Sequence, residues 1–78
     1  MAIKRVELMN ANNGLGCLGK AADEEPVFIL RAKDKHAPMA IRLWAHLAQM
    51  SGCSSQKVSE AMNLASAMEQ WPDRKYPD

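Results

Sequence analysis

Strong charge of either sign is missing from this sequence: ten Lys and Arg against nine Asp and Glu leave a formal net charge of +1. A dedicated nucleic-acid binder is therefore not expected, since such proteins carry a strongly basic balance. Cysteine is scarce as well. Cys17 and Cys53 allow at most one bridge, which excludes a disulfide framework and fits a reducing compartment. Long apolar runs are absent too, because Glu7, Asn10, Asn12 and Asn13 interrupt the segment after Lys4 and Arg5. Nothing of signal-peptide or membrane-spanning length remains, so the expectation is a cytoplasmic protein with no membrane partner. Length is the last shortage. A chain of 78 residues has room for one domain, and chains this short bury only about 60% of their unfolded surface. Marginal monomers of this kind gain support from disulfides, metals or partner subunits; with the first excluded, a homo-oligomer is expected.

Along the chain, residues Ile3 to Met9 alternate weakly in polarity, which suggests a short strand, and Asn10 to Lys20 has the Gly and Asn content of a loop. Residues 1–26 thus read as a flexible or weakly structured arm. Pro26 introduces Val27-Phe28-Ile29-Leu30, an apolar run expected either as a strand, paired with residues 3–9 or with a second copy, or packed against helices. A helix follows from Asp34 or Pro38, with Ile41, Trp44, Leu47 and Ala48 on one face and Gly52 as its stop. A second helix starts after Ser54 or Ser55 and runs to Trp71, with Val58, Ala61, Met62, Ala65, Met68 and Trp71 on one face, before Pro72 ends it. A linker of about five residues makes such helices antiparallel neighbours. The expected fold class is mainly α: a C-terminal antiparallel helical hairpin with a short extended N-terminal segment, oligomeric, with a core domain over 27–72 and a loose polar tail over 73–78.

Several apparent motifs carry no chemistry. Gly14-Leu15-Gly16-Cys17-Leu18-Gly19-Lys20 satisfies both G-x-G-x-x-G and G-x-x-x-x-G-K. Yet Ala21 stands where a phosphate loop needs Ser or Thr for magnesium, and Asp23-Glu24-Glu25-Pro26 is a poor helical continuation. A dinucleotide fold needs a βαβ unit in a parallel sheet, which this chain is too short to build. His36, His46, Cys17 and Cys53 fall into no metal-ligand spacing, so no metal is expected. Asp34 and His36 lack a nucleophile beside them, and neither catalytic residues nor a cofactor are expected. The six methionines and two tryptophans read first as packing within or between subunits.

What stands above this background is Arg31-Ala32-Lys33-Asp34-Lys35-His36-Ala37-Pro38, followed by Arg42 and His46. It brings four permanent cations and two imidazoles to the first turns of one helix. A helix N-terminus already presents free N–H groups and partial positive charge, so added cations oppose helix stability but favour an anionic ligand. Arg31, Lys33, His36 and Arg42 are the expected ligand-binding residues, with Trp44 as a stacking partner. The plainer reading is a solvated basic face balancing Asp23, Glu24 and Glu25.

Five segments carry a resemblance: Phe28 through Pro38, Trp44-Ala45, Lys57-Val58-Ser59-Glu60-Ala61, Met68-Glu69-Gln70-Trp71 and Tyr76-Pro77-Asp78. Through them the chain resembles a group of short bacteriophage-encoded accessory proteins, over roughly residues 27 to 78. The resemblance implies a context, the cytoplasm of an infected bacterial host, where such proteins counter host defences. The expected function is an anti-defence binding protein, not an enzyme, that sequesters a small anionic nucleotide-like signal at a subunit interface. The rival expectations are an inhibitor that docks its Met and Trp helical face on a host defence protein, and a small nucleic-acid-associated regulator.

Overall fold

Lys4, Arg5, Glu7, Leu8, Met9 and Ala11 are good helix formers, and they form helix α1, Lys4–Asn12. This corrects the strand expected over residues 3–9: one turn of helix satisfies the backbone locally, whereas a strand there has no partner. The computed structural model describes residues 2–77; Met1 of the expected arm and Asp78 of the expected tail lie outside the described residues.

The glycine segment corrects a second expectation. Gly14 adopts φ 69°, and the Gly14 N–H donates to Ala11 O at 3.0 Å while Leu15 N–H donates to Asn10 O at 2.7 Å. These two bonds are a Schellman cap, which satisfies the last carbonyls of α1. The chain then turns into a short helix α2, Gly16–Lys20, which packs back on α1. Gly19 makes that approach possible, since a Cβ there would lie 2.9 Å from the Gly14 carbonyl carbon and 3.1 Å from Ala11 Cα. The glycines thus build a helical turn rather than an irregular loop.

Residues 26–30 adopt no helix or strand and make no backbone hydrogen bond among the described residues. The strand expected at 27–30 is not formed, because no second strand runs beside it. Phe28 is 86% and Ile29 72% exposed.

Helix α3, Ala37–Met50, has Pro38 in its first turn. It ends in a second Schellman cap: Gly52 has φ 84°, its N–H donates to Gln49 O at 3.1 Å, and Cys53 N–H donates to Ala48 O at 2.9 Å. Helix α4, Ser55–Glu69, is capped by Ser54, whose hydroxyl accepts the Lys57 N–H. Mainly helical structure is thus as expected. Helices α3 and α4 pack together through Ala37, Pro38 and Ala45 on one side and Ala61, Ala65 and Met68 on the other, all buried. Small side chains let the helices approach closely but remove little apolar area from water. The α3 face differs from the expected one: Ile41 and Ala48 are half-buried on it, whereas Trp44 and Leu47 point to solvent, as do Met62 of α4 and Trp71, which lies beyond the end of α4 at Glu69 rather than on it as expected. Among the described residues, α1 and α2 touch each other, α3 and α4 touch each other, and neither pair of helices reaches the other. No helix of the described residues is long and apolar enough to cross a membrane.

Candidate functional site

The residues before α3 are held by the end of the chain. Lys75 N–H donates to Lys33 O at 2.7 Å and Lys35 N–H to Lys75 O at 2.9 Å, forming one parallel bridge between Asp34 and Lys75. The Arg74 guanidinium secures it, donating from Nε to Ala32 O at 3.1 Å and from a terminal nitrogen to Lys35 O at 3.3 Å. The tail expected to be loose is therefore tied down through residues 74–76. The reason is physical: unpaired backbone groups preceding a helix are costly, and the Arg74 guanidinium and the Lys75 N–H satisfy carbonyls there while the Lys75 carbonyl accepts the Lys35 N–H.

This pairing creates a shallow groove of about 170 Å³ lined by Arg31, Lys33, Asp34, Lys75, Tyr76 and Pro77. Tyr76 is its aromatic wall. Lys35 Nζ lies 4.7 Å from the Tyr76 ring centroid, within cation–π range, and the His36 ring lies 5.5 Å from it, tilted by 49°. Lys33 Nζ sits 3.5 Å from an Asp73 carboxylate oxygen. The Asp34 carboxylate accepts the His36 N–H at 2.8 Å, which occupies one lone pair of the acidic group in the groove. Arg31 is exposed and its guanidinium makes no ion pair among the described residues. Cations thus predominate around an aromatic face, an arrangement that suits a phosphate or carboxylate bearing a planar group.

Of the residues expected from sequence, Arg31, Lys33 and His36 come together here, whereas Arg42 and Trp44 do not line this groove. Arg42 reaches α4 instead. Its two terminal nitrogens donate to Glu69 at 2.9 and 2.6 Å, and one also reaches Ser66 Oγ at 3.3 Å. The hydrogen-bonded carboxylate, reinforced by its charge, raises the Arg42 pKa above the ordinary guanidinium value. The same bonds hold Glu69 below the usual carboxylate range. With Ala45, His46, Gln49, Val58 and Met62, Arg42 lines a second groove of about 150 Å³ between α3 and α4. Lys75 and Tyr76 were missed by sequence reasoning. They are about forty residues from Arg31 in the chain, and only a lone tyrosine beside a lysine marked them.

Among the described residues no group of three or more His, Cys, Asp or Glu side chains is placed to hold a metal ion. Compared with known proteins, the chain matches no family model, no curated protein and no solved structure.

Proposed function

We propose that this chain is a binding protein for a small phosphate-bearing anion, acting as a homo-oligomer whose α3 and α4 form an antiparallel hairpin. The observation that carries the reading is the groove in which Arg31, Lys33 and Lys75 surround Tyr76, with Lys35 on the ring. Guanidinium and ammonium groups supply charge-assisted bonds to phosphate oxygens, and an exposed phenol ring gives a base a surface to stack on. At about 170 Å³, the groove is smaller than the 300 Å³ or more of typical ligand pockets. It accommodates a phosphate or pyrophosphate unit. A nucleotide-like ligand would need the surface of a second subunit to cover its remainder, which is why the reading places the site at a subunit interface. Taken with the resemblance to phage accessory proteins, the role proposed is sequestration of a nucleotide-type defence signal in the infected bacterial cytoplasm.

Titration calorimetry with pyrophosphate and ADP as probes tests this. Replacing Arg31 by Gln is expected to weaken binding by about 1.5 to 3 kcal/mol, and added salt to weaken the wild type in the same direction. Absence of binding by the wild type at millimolar probe overturns the reading. Native mass spectrometry of protein purified from bacteria separates the rival: a retained host protein in place of a small molecule points to a docking inhibitor.

A further inference from the structure

We propose that the outer face of α3 is a two-fold interface, and that its occupant is α3 of a second copy of this chain; this rests on the homo-oligomer of the reading above and says where its subunits meet. Ala40, Leu43, Leu47 and Met50 recur at spacings of three, four and three, the seam of a packed helix pair. Met39 flanks them. Met39 is 71%, Leu43 59%, Leu47 53% and Met50 72% exposed, on the side of α3 away from Ala37 and Ala45, which are buried. A helix apolar on both sides belongs in the interior of an assembly rather than on its surface.

The amount of uncovered surface agrees. The chain exposes 6299 Å², where a folded monomer of 8.6 kDa is expected to expose about 4,700 Å². The excess, roughly 1,600 Å² per chain, exceeds the 800 Å² or so that each partner of a standard interface covers. The radius of gyration, 13.2 Å, likewise exceeds the 11.5 Å or so of a compact chain of this length.

Charge and symmetry select the occupant. A two-fold interface brings a surface against itself, so it must be self-complementary and free of like charges. The α3 seam carries no Asp, Glu, Lys or Arg, and Arg42, the one permanent charge of α3, is drawn to Glu69 on α4. With the two-fold axis perpendicular to α3 the paired helices run antiparallel, the arrangement that sets each helix dipole against its opposite. The sequence then matches itself about Ala45: Leu43 meets Leu47 of the second copy, and Ala40, a small residue, meets the long Met50.

Sedimentation equilibrium at about 50 µM is the first measurement. The wild type is expected as an even-numbered assembly of the 8.6 kDa chain, and Leu47→Glu is expected to halve its mass while far-UV helicity is kept. Ile29→Glu, an exposed apolar position off the seam, should leave the mass unchanged. Cross-linking keeps the proposal decidable whatever Leu47→Glu does to folding. With Cys17 and Cys53 replaced by Ser, a mixture of Leu43→Cys and Leu47→Cys chains should form mixed disulfide dimers at least tenfold faster than either alone. A wild type that sediments as a monomer overturns both this proposal and the homo-oligomer. An even-numbered assembly in which Leu47→Glu changes nothing and the mixed cysteines do not couple overturns the α3 interface alone. A Leu47→Glu chain of halved mass that also loses affinity for ADP supports both the interface and an anion site completed by the second subunit.

Discussion

Arg42 donates both of its terminal guanidinium nitrogens to Glu69, and this commitment decides what its replacement does. Arg42→Gln removes a bidentate tie between α3 and α4, so melting temperature should fall by a few degrees, as expected for one partly exposed ion pair. Arg31→Gln, with no ion pair to lose among the described residues, should leave the melt unchanged within a degree. Differential scanning calorimetry of both variants separates the two roles; equal falls would mean that Arg31 is structural. The pair also has a pH signature. Glu69 is held below its ordinary pKa, so its contribution is fully present above the unfolded carboxylate's value of about 4.3 and fades as pH falls through the lowered one. Glu69→Gln should therefore melt below wild type at pH 7, with the gap closing in acid. In the sequence Arg31 and Arg42 looked alike, two arginines of one basic stretch. What distinguishes them is Glu69, twenty-seven residues beyond Arg42, and pairing at that range follows from helix packing rather than from local pattern.

Helix boundaries were legible where a residue type permits only one local geometry. Pro38 opens α3, Ser54 caps α4, and Gly52 at φ 84° closes α3. Faces were less legible because the core is built of alanine. Ala37, Ala45, Ala61 and Ala65 are the most buried apolar residues, yet alanine suits core and surface equally and gives a period search little to weigh. The N-terminal elements were misread for a related reason: alternation over seven residues fits a weak strand as well as a short helix. The glycines of 14–19 matched nucleotide-binding patterns, and the structure gives Gly14 and Gly19 a packing role instead. Gly19→Ala tests that role. In an open helix the change raises stability by roughly 0.5 to 1 kcal/mol. Here the new methyl would meet the backbone of Gly14 and Ala11, and overpacking of this kind typically costs about 1 to 3 kcal/mol. Amide exchange should show faster opening of α1 in this variant. Slower exchange would mean that α2 does not rest on α1.

At the scale of the molecule, the sequence pointed to assembly through a quantity it states directly: 78 residues offer too little core for a firm monomer. Which surface assembles was not legible, because Leu47 reads in sequence as part of one face with Ile41 and Ala48, and only the turn of α3 toward α4 shows it left over with Leu43. Thermal unfolding then gains a dependence on concentration. If folded chains are stable as pairs, unfolding releases two chains from one assembly, and each tenfold rise in protein concentration adds about 1.4 kcal/mol to its free energy. The wild-type melt should therefore rise by several degrees between 5 and about 500 µM, given the small unfolding entropy of short chains. Leu47→Glu should remove most of that dependence while also lowering the melt at the high end. Circular dichroism at short path length covers the range. A wild-type melt independent of concentration would mean that α3 and α4 are stable with their outer face in water, and that the surplus apolar surface has another use.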